Sequence, residues 1–387
     1  MNIIFFNSHT FLTRELINSL KKLTNHYVVI ISVPQYPSDT QINMIFEQIG
    51  RFLPGLIVTI NDAGCDYSGK LLEILSAKGC FFANWYTDYP FYEEIFHGRV
   101  MKPRSDRIDF VSEASFVSEM SMRGFNSCFL PLATDPEFFN ENSAVEFTRD
   151  VAFVGNSSAE FIASVIDEKR EGELEKLISL QSELKKQYFS DPTFNIHEFL
   201  LHNRSLWEGK TLLPENELMF LMEWFIGYLY RRDFIGNLAR RYGMRFTCFG
   251  DPYWRNFIDP SQVSTDACYY TNLSDYYRST RVNINVNRIQ IRTAFTQRIF
   301  DCAASGAFIL TDKRECNSRF FRTSGAEPEL IEFNSPSHCF ELIDYFLDHE
   351  EERIAIAARI QENVLRNHTY DNRVEEIIDI CCRKWML

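Results

Sequence analysis

No stretch of this 387-residue sequence is apolar for the roughly 20 positions that a membrane-spanning helix needs. Positive charge is also short: 40 Lys and Arg stand against 53 Asp and Glu, a net charge of −13. That disfavours a nucleic acid or an anionic membrane as partner, because both attract excess basic charge. None of the ten cysteines forms a Cys-x-x-Cys pair, which argues against a structural zinc site. Cys80, Cys248 and Cys302 sit in apolar surroundings, as reduced core residues do, and this suits the cytoplasm. Residues 2–6 go straight into an apolar strand, without a basic start or a long apolar core, so no secretion signal is expected. No repeat recurs at solenoid periods.

What is present is alternation of strand and helix. Short apolar runs at 3–6, 27–33, 56–60, 80–85, 109–111 and 128–130 read as strands, with amphipathic stretches between them. This predicts a parallel sheet with helices on both faces. A Pro-rich exit at 131–136 leads to a domain boundary, giving a first domain over 1–145 and a second over 146–365. The last segment, 366–387, reads as a helix that crosses back to the first domain. Strands restart at 150–154 and continue at 245–249, 268–270, 282–286, 307–310 and 330–333. Residues 160–241, polar and helical with an apolar helix at 218–230, are too many for one crossover. They are expected to form a helical insertion that binds an acceptor or a partner.

The stretch 282–312 carries the densest signal. It alternates apolar residues with Asn, passes through a polar loop, enters a helix from about Phe295 that Gly306 closes, and ends in a buried strand. A helix that starts beyond the C-terminal end of a parallel strand sits where α/β sheets bind anions. Arg298 and Asp301 share one face of it. A guanidinium suits phosphate oxygens and a carboxylate suits the paired hydroxyls of a ribose, although the same two residues could form an ordinary surface ion pair. The turn at Gly155 and Asn156 would bring backbone amides to a phosphate, although an ordinary strand-to-helix turn looks the same. Loops at Gly250, Tyr253 and Tyr270 would frame a base. In the first half, His9 follows the first strand and Asp88 the fourth. Either can deprotonate a hydroxyl; the bland alternatives are a loop histidine and a turn-former before Pro90.

Five segments give the chain a family resemblance. They are Trp85-Tyr86-Thr87-Asp88-Tyr89-Pro90, the exit Phe129-Leu130-Pro131-Leu132-Ala133-Thr134-Asp135, the strand Asp150-Val151-Ala152-Phe153-Val154-Gly155, the run from Arg298 through Gly306 to Asp312, and His368-Thr369-Tyr370 with Arg373. In this order they resemble the CgeB-like glycosyltransferases. The resemblance implies α/β GT-B architecture, with two facing Rossmann-like doubly wound domains and the helical insertion in the second. It implies transfer of a hexose from a nucleotide diphosphate-sugar, first a UDP-sugar, then GDP- or dTDP-sugar, without a required metal. The acceptor would be a hydroxyl of a protein, a surface glycan or a small molecule. Asp301 stands where relatives hold the donor ribose, commonly with Glu. A second donor-side carboxylate of many retaining relatives falls near Thr293, where this sequence has none, so stereochemistry stays open. The resemblance slightly prefers His9 over Asp88 as base for an inverting enzyme. Two alternatives share the architecture: a nucleotide-sugar epimerase, and a non-catalytic binding or assembly protein.

Overall fold

The computed structural model describes residues 1–66, 68–140 and 146–386. The boundary expected at 145 falls on residues outside that description. The chain divides into two compact units, Met1–Asp135 with Asn367–Leu387, and Pro136–Arg366.

In the first unit, β1 (Asn2–Asn7), β2 (Tyr27–Ser32), β3 (Leu56–Ile60), β4 (Phe81–Tyr86), β5 (Arg107–Val111) and β6 (Ser127–Phe129) pair in parallel, in the order β2-β1-β3-β4-β5-β6. Side chains alternate between the faces, so the apolar runs supply two cores. Ile3, Phe5, Val58, Trp85 and Phe110 pack with Leu16 and Leu20 of one helix and Val374 and Ile377 of another. Ile4, Phe6, Ile57 and Phe82 pack on the other face with Ile42, Ile45 and Leu71. The helix Tyr370–Trp385 is tied down at its start. The Thr134 amide donates to the His368 carbonyl at 3.1 Å, and the Tyr370 amide to the Thr134 carbonyl at 2.9 Å. Thr369 and Asn372 close a capping box.

In the second unit, β7 (Arg149–Val154), β8 (Phe246–Phe249), β9 (Val263–Ser264), β10 (Thr280–Asn285), β11 (Ile309–Asp312) and β12 (Ile331–Phe333) form a parallel sheet ordered β12-β11-β10-β7-β8-β9. The chain lays β8 and β9 to one side of β7 and β10 to β12 to the other. The order therefore reverses between β7 and β10, the place where open α/β sheets bind ligands.

Three elements differ from their expected form. Residues 268–270 are a turn, not a strand. The Cys268 carbonyl accepts from the amides of Thr271, Asn272 and Leu273, and the Asn272 side chain accepts from the Cys268 amide at 2.6 Å, so local bonds outcompete a ladder. The edge strand is Val263–Ser264 instead. The apolar helix expected to stop at 230 runs over Glu215–Tyr242, because Phe234, Ile235 and Leu238 continue its buried face. The helix expected from Phe295 is Gln297–Ala304, since Phe295 is drawn into rings with Phe300, Phe320 and Phe321.

Candidate functional site

The Asn residues that alternate along β10 and into the loop after it, Asn283, Asn285 and Asn287, organise the reversal point. All three are buried and bonded rather than solvated. Asn283 donates to the carbonyls of Tyr277 and Phe308, each at 3.0 Å. Asn285 donates to Thr311 Oγ1 at 2.9 Å and accepts from Thr296 Oγ1 at 3.2 Å and from Arg298 Nη1. Asn287 donates to Asp312 Oδ1 at 2.8 Å and accepts the Thr296 amide at 3.0 Å. These bonds fix the start of the Gln297–Ala304 helix and aim Arg298. The Thr296 hydroxyl turns to Asn285 and does not cap the helix, so the first-turn amides are not satisfied by that side chain.

Two further arginines converge on the same place. Arg231, on the long insertion helix, is 3% exposed and donates to the carbonyls of Asn156 at 3.2 Å and Val286 at 3.0 Å. Arg298 and Arg231 lie against one ring, with their guanidinium carbons 5.4 and 5.9 Å from the Phe153 centroid. Arg288, half-buried in the loop after β10, has no side-chain hydrogen bond or ion pair among the described residues. Burial pushes the Arg231 guanidinium down to about 9, and the charges of Arg288 and Arg298 add to that. Burial lowers Arg298 as well; Tyr277 opposes the shift and Arg288 reinforces it. Among the described residues no carboxylate is bonded to any of the three. The place is positive, partly desolvated and preorganised, as an anion site is.

The Gly155 turn stands beside this group, but its amide donates to the Phe249 carbonyl at 2.8 Å. Its contribution is room: a Cβ there would lie 2.7 Å from Arg298 Nη2. The Ser157 amide is likewise committed, to Asp251 at 2.6 Å. The Asn156 amide has no partner among the described residues. Gly250 lets the loop after β8 approach, where Trp254 Nε1 donates to the Gly155 carbonyl at 2.8 Å. Tyr253 is 40% exposed on the turn Pro252–Asn256. Tyr270 packs edge-on against Phe138 and Tyr269, at 4.9 and 4.7 Å.

Asp301 is 2% exposed, and the Tyr269 hydroxyl donates to its Oδ2 at 3.0 Å. The amide of Gln297, one turn earlier, donates to the same hydroxyl.

The insertion braces the site. Glu223 is buried and accepts Arg292 Nε at 3.0 Å and Nη2 at 2.8 Å, with His197 Nε2 at 3.3 Å. Burial would raise this carboxyl, but Arg292 and His197 hold it down at about 2. Gly227 lets the helix meet Ile289, whose Cγ2 would stand 2.5 Å from a Cβ at 227. Buried Arg314 pairs with Asp312 at 2.7 Å and donates to the Pro192 carbonyl at 2.8 Å.

In the first unit, His9 and Asp88 follow β1 and β4. Asn7 Oδ1 accepts the His9 amide at 2.8 Å, which turns Asn7 Nδ2 toward His9 Nδ1, 3.4 Å away. His9 Nε2 lies 3.0 Å from Ser32 Oγ, so both ring nitrogens have polar neighbours. Asp88 is exposed and accepts from Asn61 Nδ2 at 3.4 Å. Asn61 and Asp62 adopt φ of 47° and 58°, held by bonds from Asn61 to Thr87 at 2.9 Å and from the Asp62 amide to Asn84 Oδ1 at 2.9 Å.

Sequence reasoning missed Arg231, Arg288, Tyr269 and Gln297. A signal existed for Arg231: it stands four residues after Gly227, directly after the apolar run 224–230 of a helix. Among the described residues, no helix is long and apolar enough to cross a membrane and no cluster of three metal-ligand side chains occurs.

Residues 231–379 match the family described as glycosyl transferase-like. No curated protein matches the sequence. Among solved structures, the chain is similar to an alpha-glucosyltransferase in complex with UDP-glucose and DNA containing an abasic site, at 9% identity and TM-score 0.55, over 98% of this chain and 99% of that one. It is similar to the N-terminal domain of trehalose-6-phosphate phosphatase from Candida albicans, at 10% identity and TM-score 0.53, over 99% and 97%. It is also similar to Anabaena HepE in complex with UDP-glucose, at 8% identity and TM-score 0.51, over 99% and 100%. These likenesses show the fold: two Rossmann-like α/β sheets of the GT-B class.

Proposed function

We propose that this protein moves a hexose from a nucleoside diphosphate-sugar to a hydroxyl acceptor. The observation that carries the reading is the group of Arg231, Arg288 and Arg298 at the β7–β10 reversal, with no carboxylate bonded to it among the described residues. The Arg231 and Arg298 guanidiniums, depressed first by burial and then by neighbouring positive charge, are relieved by a polyanion. In glycosyl transfer the departing diphosphate gains charge in the transition state, and fixed cations stabilise that change most where water is sparse.

On this reading Arg298, Arg231 and Arg288 take the diphosphate, with the Asn156 amide. Asp301 takes the ribose once the Tyr269 hydroxyl gives way. Gly250, Tyr253 and Tyr270 frame the base. Two structures of the same fold hold UDP-glucose, and a UDP-sugar is the donor we assign first, ahead of GDP- and dTDP-sugars. The motifs quoted from the sequence favour the CgeB-like group within this class.

Single displacement with inversion is the stereochemistry we assign, because Thr293 supplies no donor-side carboxylate. The base is then Asp88. Both ring nitrogens of His9 are engaged, with Asn7 Nδ2 and Ser32 Oγ, whereas the exposed Asp88 carboxylate keeps lone pairs available. The acceptor is a hydroxyl of a protein, a surface glycan or a small molecule.

The test is a set of incubations with UDP-, GDP- and dTDP-hexoses, reading release of nucleoside diphosphate. Turnover of one donor that falls by about 100-fold or more in Arg298→Ala supports the proposal. Undiminished turnover in that variant removes Arg298 from the mechanism, and no turnover of any donor, with or without candidate acceptors, counts against transfer.

A further inference from the structure

One buried acceptor near Asp301 has no donor among the described residues. Gln297 is 5% exposed, and its Oε1 has no hydrogen-bond partner among those residues. The orientation of that amide follows from its neighbours. The Tyr269 hydroxyl has a single proton, and it goes to Asp301 Oδ2, since a carboxylate can only accept. Tyr269 must therefore accept from Gln297, which fixes Nε2 toward the tyrosine and leaves Oε1 facing elsewhere. An amide oxygen buried without a donor costs stability in the free protein. Gln297 and Asp301 lie four residues apart on one face of an eight-residue helix, so the orphan sits beside the carboxylate.

We propose that Gln297 is a specificity residue that reads the ribose: its Oε1 accepts the 2′-hydroxyl of the donor's ribose, and the site takes ribonucleoside diphosphates in preference to 2′-deoxyribonucleoside diphosphates. The proposal rests on the donor reading given above, which places the ribose at Asp301. The chemistry is selective because the two ligands differ by one donor. The 2′-hydroxyl satisfies the orphan oxygen, whereas a 2′-deoxyribose, which keeps only its 3′-hydroxyl, leaves it unpaired and desolvated. Tyr269 occupies Asp301 Oδ2 in the ligand-free protein, as a hydroxyl of the ligand would. UDP- and GDP-sugars fit this site, and dTDP-sugars do not.

The test is calorimetric titration of the full chain with UDP, 2′-deoxy-UDP, GDP and 2′-deoxy-GDP. The ribonucleotide of the preferred base is expected to bind about tenfold or more tightly than its deoxy counterpart, the effect of one hydrogen bond to a buried group. In Gln297→Leu that ratio is expected to fall toward one through loss of ribonucleotide affinity, while deoxynucleotide affinity stays close to that of the unaltered protein. Equal binding of ribo- and deoxynucleotides by the unaltered protein overturns the proposal and leaves the donor reading intact; this comparison needs no variant to fold. A ratio unchanged in a folded Gln297→Leu, judged by circular dichroism, also overturns it. If neither UDP nor GDP binds, the donor reading fails and this inference with it.

Discussion

Gly155 and Arg298 are matched by subtraction: a single methyl carbon at 155 would stand 2.7 Å from Arg298 Nη2. The residue that reads from sequence as a phosphate-binding glycine is therefore needed for the arginine beside it. Gly155→Ala should push the guanidinium off Asn285 and lower donor affinity and turnover by about tenfold to 100-fold, at a stability cost of about 1–3 kcal/mol for overpacking. Turnover measured beside a urea melt separates the two effects. Unchanged turnover would show that Arg298 is not held in its working position here.

Removing a buried charge need not destabilise. Arg231→Met takes away a guanidinium that burial and its two neighbours disfavour, and it leaves two carbonyls, of Asn156 and Val286, without that donor. These effects oppose each other, each about 1–3 kcal/mol, so stability should change by no more than about 1 kcal/mol while turnover is lost. Thermal denaturation of the ligand-free variant checks this. A large drop in melting temperature would make Arg231 primarily structural.

Glu223 and Arg292 join the insertion to the loop that carries Arg288. Glu223→Gln should cost about 3–5 kcal/mol, because it removes the buried carboxylate charge that Arg292 and His197 both face. Glu223→Gln with Arg292→Met should cost less than the two single changes summed. Denaturant melts of the three variants give the coupling. Simple additivity would mean that the pair braces nothing.

His368 ties stability to pH. Burial, with Arg373 nearby, pushes its imidazole down to about 3 from an ordinary 6.5. Between those values the unfolded chain binds a proton that the folded chain refuses. This stability is whole above about 6.5 and is lost as pH falls toward 3. Relative to His368→Asn, the unaltered protein should lose roughly 2 kcal/mol between pH 7 and pH 5. Parallel urea melts at the two pH values read the difference, and curves that stay parallel would contradict the shift.

Much of the fold was legible because parallel strands buried on both faces leave short apolar runs, as in β1, β3 and β4. The alternating Asn run announced a strand, but its polar face proved to be an internal network around Thr296, Arg298 and Asp312. Arg231 was not legible as a site residue. It lies 55 positions from Val286, the carbonyl it meets, and only the path of the insertion helix brings them together. The motif at Pro131 and the one at Arg373 carried no hint that they bond to each other; Arg373 Nε donates to the Pro131 carbonyl at 2.8 Å. Cys268 to Tyr270 misled because aromatic residues favour strands in general, whereas Asn272 captures this one in a turn.

Arg231, Arg288 and Arg298 are proposed above to hold a diphosphate. Calorimetric titration with UDP, uridine and pyrophosphate, on the unaltered protein and on Arg231→Met, decides the matter. Pyrophosphate is expected to bind, UDP to bind about 100-fold or more tightly than uridine, and Arg231→Met to erase most of that difference. Uridine and UDP binding alike, or UDP affinity unchanged in Arg231→Met, would contradict it.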